Sequence, residues 1–117
     1  MSSSGAHDPE RRRYPRVKAH LPLELKSAGT ALMRTSTNEI SLCGCYIETM
    51  FTMEVGMRLE VALSVKGETI RCVGVVVTKH PQVGNGIDFI DLASADQLKL
   101  SEYIKECDVQ SKNESGD

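Results

Sequence analysis

The sequence predicts an all-β fold with one C-terminal helix. Short runs of alternating apolar and polar residues recur along most of the chain, and Gly, Pro or Asn turn signals separate them. No helical segment lies between these runs, which excludes parallel units joined by crossover helices. The i, i+3, i+4, i+7 apolar stripe comes only near the end, after the last strand signal. What remains is an antiparallel barrel or sandwich of about six short strands with a helix against it.

The first strand signal is "VKAHLPLELKS", alternating from Val17 to Leu25, and "CYIET" at 45 to 49 is short and rich in β-formers. Met57, Leu59, Val61, Leu63 and Val65 keep strict period two, "KGE" at 66 to 68 supplies a turn, and "TIRCVGVVVTKH" follows, so 57 to 80 reads as a hairpin. "PQVGNG" from Pro81 to Gly86 reads as a loop, with His80 at its entrance. "IDFIDL" then forms the closing strand, with Ile87, Phe89 and Asp91 on one face. Ser94 and Gln97 have capping-box spacing, and Leu100, Tyr103, Ile104 and Cys107 form the helix stripe.

With 117 residues the chain makes one domain, expected over 11–107, with disordered polar tails at 1–10 and 108–117. No apolar h-region opens it, and no run approaches the roughly 18 apolar residues of a membrane span, so a cytoplasmic location is expected. The four cysteines lack CxxC spacing and do not pair with the three histidines, so no metal site is expected. Cys43 and Cys45 alternate as residues on one strand face do, and the thiols are read as reduced, buried and inert. No nucleophile, base and acid stand in a catalytic pattern, and the carboxylates are spread singly, so no enzyme is expected.

Two stretches carry candidate binding chemistry. "RRRYPR" at 11 to 16 holds four of the seven arginines of a chain whose net charge is -2. Guanidinium forks match phosphate oxygens and the O6/N7 edge of guanine, and Pro15 biases Tyr14 towards an extended lead-in to Arg16. Taken alone, the run reads as a solvated basic patch, as charge runs usually are. "NEISLCGCYIET" at 38 to 49 offers Ser41 and Gly44 in a tight turn, where Gly permits φ > 0 and close ligand approach. Glu39 could accept the N1–H and N2–H donors of a guanine, whereas Asp88 and Asp91 read as solvated residues, with Asp88 alone able to face a ligand edge. Tyr14 is the one aromatic beside the arginines and the domain is acidic, which argues against nucleic acid.

Together, an R-x-x-x-R pair (Arg12, Arg16) and an acid-x-S-x-x-G turn (Glu39, Ser41, Gly44), followed by "GNGIDFIDLASADQLKLSEYI" at 84 to 104, resemble the PilZ family over roughly residues 11 to 107. The resemblance implies a six-stranded antiparallel β-barrel with a C-terminal helix. It also implies binding of cyclic di-GMP and no resident cofactor: Arg12 and Arg16 would contact phosphate and guanine, and Ser41 and Gly44 would shape the opposing turn. Arg11 and Arg13 adjoin the motif and are counted with the site, Arg11 as a possible holder of a second stacked ligand. The chain departs from the family at Glu39, where Asp or Asn is usual; Asn38 sits one position too early. Two roles follow: a receptor that changes conformation on binding and signals to a partner protein in trans, or a module that has kept the protein contacts and lost the nucleotide.

Overall fold

The computed structural model describes residues 16–27 and 31–115, with side chains of the last helix described up to residue 107. Arg11, Arg12, Arg13 and the expected N-terminal tail lie outside these residues. The elements are β1 (Val17–Lys18), β2 (Pro22–Lys26), β3 (Met33–Ser36), β4 (Glu39–Ile40), β5 (Gly44–Glu48), β6 (Arg58–Val65), β7 (Glu68–His80), β8 (Gly84–Phe89) and α1 (Ser94–Ser115). Every strand pairing is antiparallel, in the order β1-β4-β5-β8-β7-β6-β2-β3.

The eight strands trace six runs of chain. β1 continues into β2 and β3 into β4, and the two bent runs pair on both sides of their bend, Val17 with Ile40 and Leu23 with Thr35. The two ends of the sheet are therefore the two halves of one bent hairpin, and the sheet curls back on itself.

Thr37 makes the corner. It is fully buried; its Oγ1 donates to Ala19 O (2.5 Å) and accepts from Leu21 N (3.0 Å), while its own N–H bonds Leu21 O (2.9 Å). His20 Nδ1 lies 3.0 Å from Thr37 O; because a carbonyl only accepts, that nitrogen carries the proton. Period-two alternation runs through residues 17 to 25 without a mark, so the sequence predicts one straight strand where there are two. β3 and β4 carry no strand signal because their polar sequence has little apolar alternation.

Inside the curl, residues of neighbouring strands stand in rows. Val17, Ile40, Cys45, Ile87 and Val76 are successive cross-strand partners, and the last four are buried. Leu23, Leu25, Leu59, Val61, Leu63, Val65 and Ile70 complete the core from the other wall. Each such side chain stabilises the fold by roughly 1.5–3 kcal/mol through apolar burial. Lys66 and Gly67, at φ 53° and 81°, form the two-residue turn of the β6–β7 hairpin, a conformation that favours Gly at the second position.

The helix closes this end. Leu100 and Ile104 enter the core, and Lys99–Glu68 (2.5 Å) and Lys66–Glu106 (2.6 Å) tie the helix to the β6–β7 turn. Gln97 does not reciprocate a capping box; its Nε2 donates to Leu92 O at 3.0 Å. The backbone stays helical to Ser115, past the expected boundary at 107, because "DVQSKNES" contains no breaker and Gly116 is the first to follow. No helix among the described residues is long and apolar enough to cross a membrane.

Pro81–Val83 alone form the turn into β8, so Gly84, Asn85 and Gly86 belong to a strand where a loop was expected, and Asp91 falls outside it. Asn85 explains the difference. Its side chain is fully buried and ties Met53 N (2.7 Å), Met53 O (3.0 Å) and Thr78 O (3.1 Å), so a residue read as a turn former is a polar strut between β8, β7 and the loop after β5. The cysteines also divide. Cys45 is buried on β5, whereas Cys43 stands exposed in the bend before it, because alternation across a bend does not preserve a strand face. Cys72 and Cys107 are half-buried.

Candidate functional site

The outer face of β4, β5, β8 and β7 carries a second row, one residue out of phase with the core: Lys18, Glu39, Tyr46, Gly86 and Thr78 are successive partners. A groove of about 310 Å³ lies over this row, lined among others by Arg16, Glu39, Ser41, Tyr46, His80 and Asp88. That volume is at the small end of ligand sites.

Arg16 sits immediately before β1 and Glu39 opens β4, so the β1–β4 pairing brings them together across the groove mouth. Arg16 Nη1 lies 3.7 Å from Glu39 Oε1, with both side chains substantially exposed. A guanidinium held this way keeps its remaining N–H donors for an anion.

Ser41 and Gly44 form the tight loop between β4 and β5. The Ser41 N–H bonds Gly44 O (2.8 Å), and Ser41 Oγ accepts from Cys43 N (3.2 Å) with Gly44 O also 3.4 Å away. Ser41 is buried, so its hydroxyl shapes the loop from within. Gly44 does not have the positive φ expected of it; among the described residues positive-φ glycines are Gly56 and Gly67. Glycine is needed for a different reason: a Cβ at position 44 would stand 2.2 Å from Ile87 O, so only a bare backbone can pair this closely with β8.

Asn38 is engaged elsewhere. Its Oδ1 accepts from Glu48 N (2.8 Å), fixing the β3–β4 joint to the end of β5, which leaves Glu39 as the residue facing the groove.

Four of the seven residues singled out from sequence, Arg16, Glu39, Ser41 and Gly44, line one groove, and Arg11, Arg12 and Arg13 lie outside the described residues. Tyr46, Thr78 and His80 also line it and were not singled out. His80 ends β7, at the entrance of the turn as the 57–80 hairpin predicts, and shares a 3.1 Å hydrogen bond with the Tyr46 hydroxyl. The signal for Tyr46 was its place seven residues after Glu39, the hairpin partner position once the loop register is known.

The profile of the PilZ domain matches residues 10–106, nearly the whole described chain. The chain belongs to the PilZ domain family. Among solved structures this PilZ domain is similar to that of Escherichia coli YcgR, described as bound to c-di-GMP, with TM-score 0.71 and 14% identity over 91% of this chain and 98% of that one. It is also similar to the Bacillus subtilis inhibitor of motility MotI/DgrA, with TM-score 0.70 and 20% identity over 88% of this chain. The PilZ domain spans about half of that protein, 52%. A third likeness is to the PilZ domain of CeSA from a cellulose-synthesizing bacterium, with TM-score 0.59 and 16% identity over 83% of this chain and 98% of that one. No curated protein matches the chain. At these identities the likenesses establish the fold, an antiparallel curled sheet with a C-terminal helix; the described residues hold eight strands where six were expected, because two runs of chain are each bent into two strands.

Proposed function

We propose that this PilZ domain is a receptor for cyclic di-GMP that acts in the cytoplasm, carries no reaction of its own and passes its signal to a partner protein in trans. The observation that carries the reading is the meeting of Arg16 and Glu39 at the mouth of a groove whose far side is the Ser41–Gly44 loop. Arg16 supplies charge-assisted hydrogen bonds to a phosphate, Glu39 accepts the N–H edge of a guanine, and the loop gives the ligand a close approach. Arg12 stands four residues before Arg16, and extended chain covers at most roughly 14 Å over that interval, enough to reach the second half of a cyclic dinucleotide. Arg11 and Arg13 flank it and add positive charge.

Charge-assisted bonds are worth roughly 1.5–3 kcal/mol each, so three or four supply the roughly 8 kcal/mol of a micromolar complex. Closing the arginine segment over the dinucleotide makes a new composite surface, and that surface is the output. Isothermal titration with cyclic di-GMP, with GTP as control and Arg16→Ala as variant, tests the assignment. Micromolar or tighter binding that the variant weakens at least tenfold supports it; equal affinity in the variant refutes it.

A second reading is a protein-interaction module that has lost the nucleotide. Two features favour it: Glu39 already holds Arg16, and Phe51 (83% exposed), Met50 (70%) and Val83 (57%) stand out from adjoining loops joined by the Thr49 N–Val83 O bond. Absence of heat, together with unmoved amide shifts for 39–44, selects this reading.

A further inference from the structure

Tyr46 and His80 stand on β5 and β7, which do not pair; β8 runs between them. They meet because β8 is bare where they cross it. A Cβ at Gly84 would fall 2.6 Å from Tyr46 Oη and 2.8 Å from Cε2, so the phenol lies directly over that glycine, and Gly86, the cross-strand partner of Tyr46, likewise has no side chain on the outer face. The far end of the ring is held by the Tyr46 Oη–His80 Nδ1 bond of 3.1 Å, the ring centroids being 5.9 Å apart and tilted by 47°. The near end of Tyr46 faces Glu39 directly across the β4–β5 pair.

We infer that Tyr46, pinned by His80 over the two glycines of β8, is the stacking platform for a planar base whose N–H edge meets Glu39. The inference rests on the receptor reading and names how one base is held. Adjacent strands are spaced about 4.8 Å apart, so a flat ring hydrogen-bonded to Glu39 extends over the Tyr46 position and the bare surface at Gly86. A side chain at 84 would displace the phenol itself, and one at 86 would crowd Thr78 and cover the bare surface beside it. The carboxylate accepts only, which selects a base with donors on that edge: guanine offers N1–H and N2–H, whereas the adenine edge places an acceptor there. The His80 bond fixes the phenol before the ligand arrives, so less side-chain freedom is lost on binding.

The test is titration of the full chain with cyclic di-GMP and cyclic di-AMP in the parent, Tyr46→Leu, Tyr46→Phe and Arg16→Ala, with thermal melts of each. Loss of one stacked base weakens binding by roughly 10- to 100-fold in Tyr46→Leu, whereas Tyr46→Phe, which keeps the ring and loses the His80 bond, weakens it about threefold. Cyclic di-AMP binds the parent at least tenfold more weakly than cyclic di-GMP. Full affinity in a folded Tyr46→Leu overturns the platform and leaves the receptor standing, provided Arg16→Ala is weakened. Equal loss in Tyr46→Phe and Tyr46→Leu also overturns it, since the hydroxyl rather than the ring would then be the contact. A parent that binds neither dinucleotide overturns both readings. If Tyr46→Leu does not fold, tyrosine fluorescence of the parent decides the case: quenching on ligand addition that is reduced in Tyr46→Phe, which lacks the fluorophore at this position, supports stacking, and no quenching in the parent refutes it.

Discussion

Glu39 stands between Arg16 and Tyr46: its carboxylate lies 3.7 Å from the guanidinium, and its backbone pairs with the tyrosine across β4 and β5. One side chain thus holds the cation at the groove mouth and faces the groove floor. The ion pair is exposed, and such pairs stabilise a fold by at most about 1 kcal/mol. Glu39→Gln is therefore expected to leave the urea midpoint nearly unchanged while weakening cyclic di-GMP, because a carboxamide places an NH2 where an acceptor is needed. Titration and denaturation of the same preparation check this; unchanged affinity would remove Glu39 from the binding role.

Asn85 gives a prediction about stability. It is fully buried, and replacing it with Leu leaves Met53 N–H, Met53 O and Thr78 O without the partner each has now. Unsatisfied buried groups cost about 1–3 kcal/mol apiece, partly relieved by water, so a loss of roughly 2–4 kcal/mol is expected. Urea denaturation measures it, and a loss under 0.5 kcal/mol would show that the loop after β5 is held by something else.

Gly44→Ala drives a methyl group to 2.2 Å from Ile87 O, within a strand pair where neither backbone can withdraw without opening the sheet. The expected cost is on the order of 2 kcal/mol or more. A melting temperature within a degree of the parent's would contradict the close approach on which the Ser41–Gly44 loop depends.

The thiols should respond differently to pH and to reagents. Burial first, then the nearby Cys72 and Asp88, pushes Cys45 up to about 12 from an ordinary value of 9.0, and burial followed by Asp91 and Asp96 pushes Cys72 up to about 11. As pH rises, the unfolded chain gives up these protons first. The stability that the protonated thiols contribute is thus whole below about pH 9 and is lost between pH 9 and about 12. Denaturation midpoints should fall over that window, with a shallower slope in Cys45→Ala. Exposed Cys43 should react with a disulfide reagent at once at pH 8, and Cys45 only on unfolding. Equal rates for the two would contradict their placement.

Much of this was legible in the residues themselves. Alternation at 57–65, the turn at 66–68 and the stripe Leu100, Tyr103, Ile104, Cys107 depend on local periodicity, which a linear sequence records directly, and the hairpin and helix follow where expected. Arg16, Glu39, Ser41 and Gly44 were legible because their spacing is a motif.

What the sequence could not carry is whatever depends on register across strands distant in the chain. Thr37 bends two strands because it meets Ala19 and Leu21, and Asn85 is a strut because it meets Met53 and Thr78. His80 belongs beside Tyr46 because two glycines of an intervening strand leave room for them. Chain order by itself determined the locally periodic elements, the β6–β7 hairpin and the helix, and the motif. Only the tertiary structure decided which face each residue shares, because a pairing shifted by one residue turns every side chain of a strand to the opposite side.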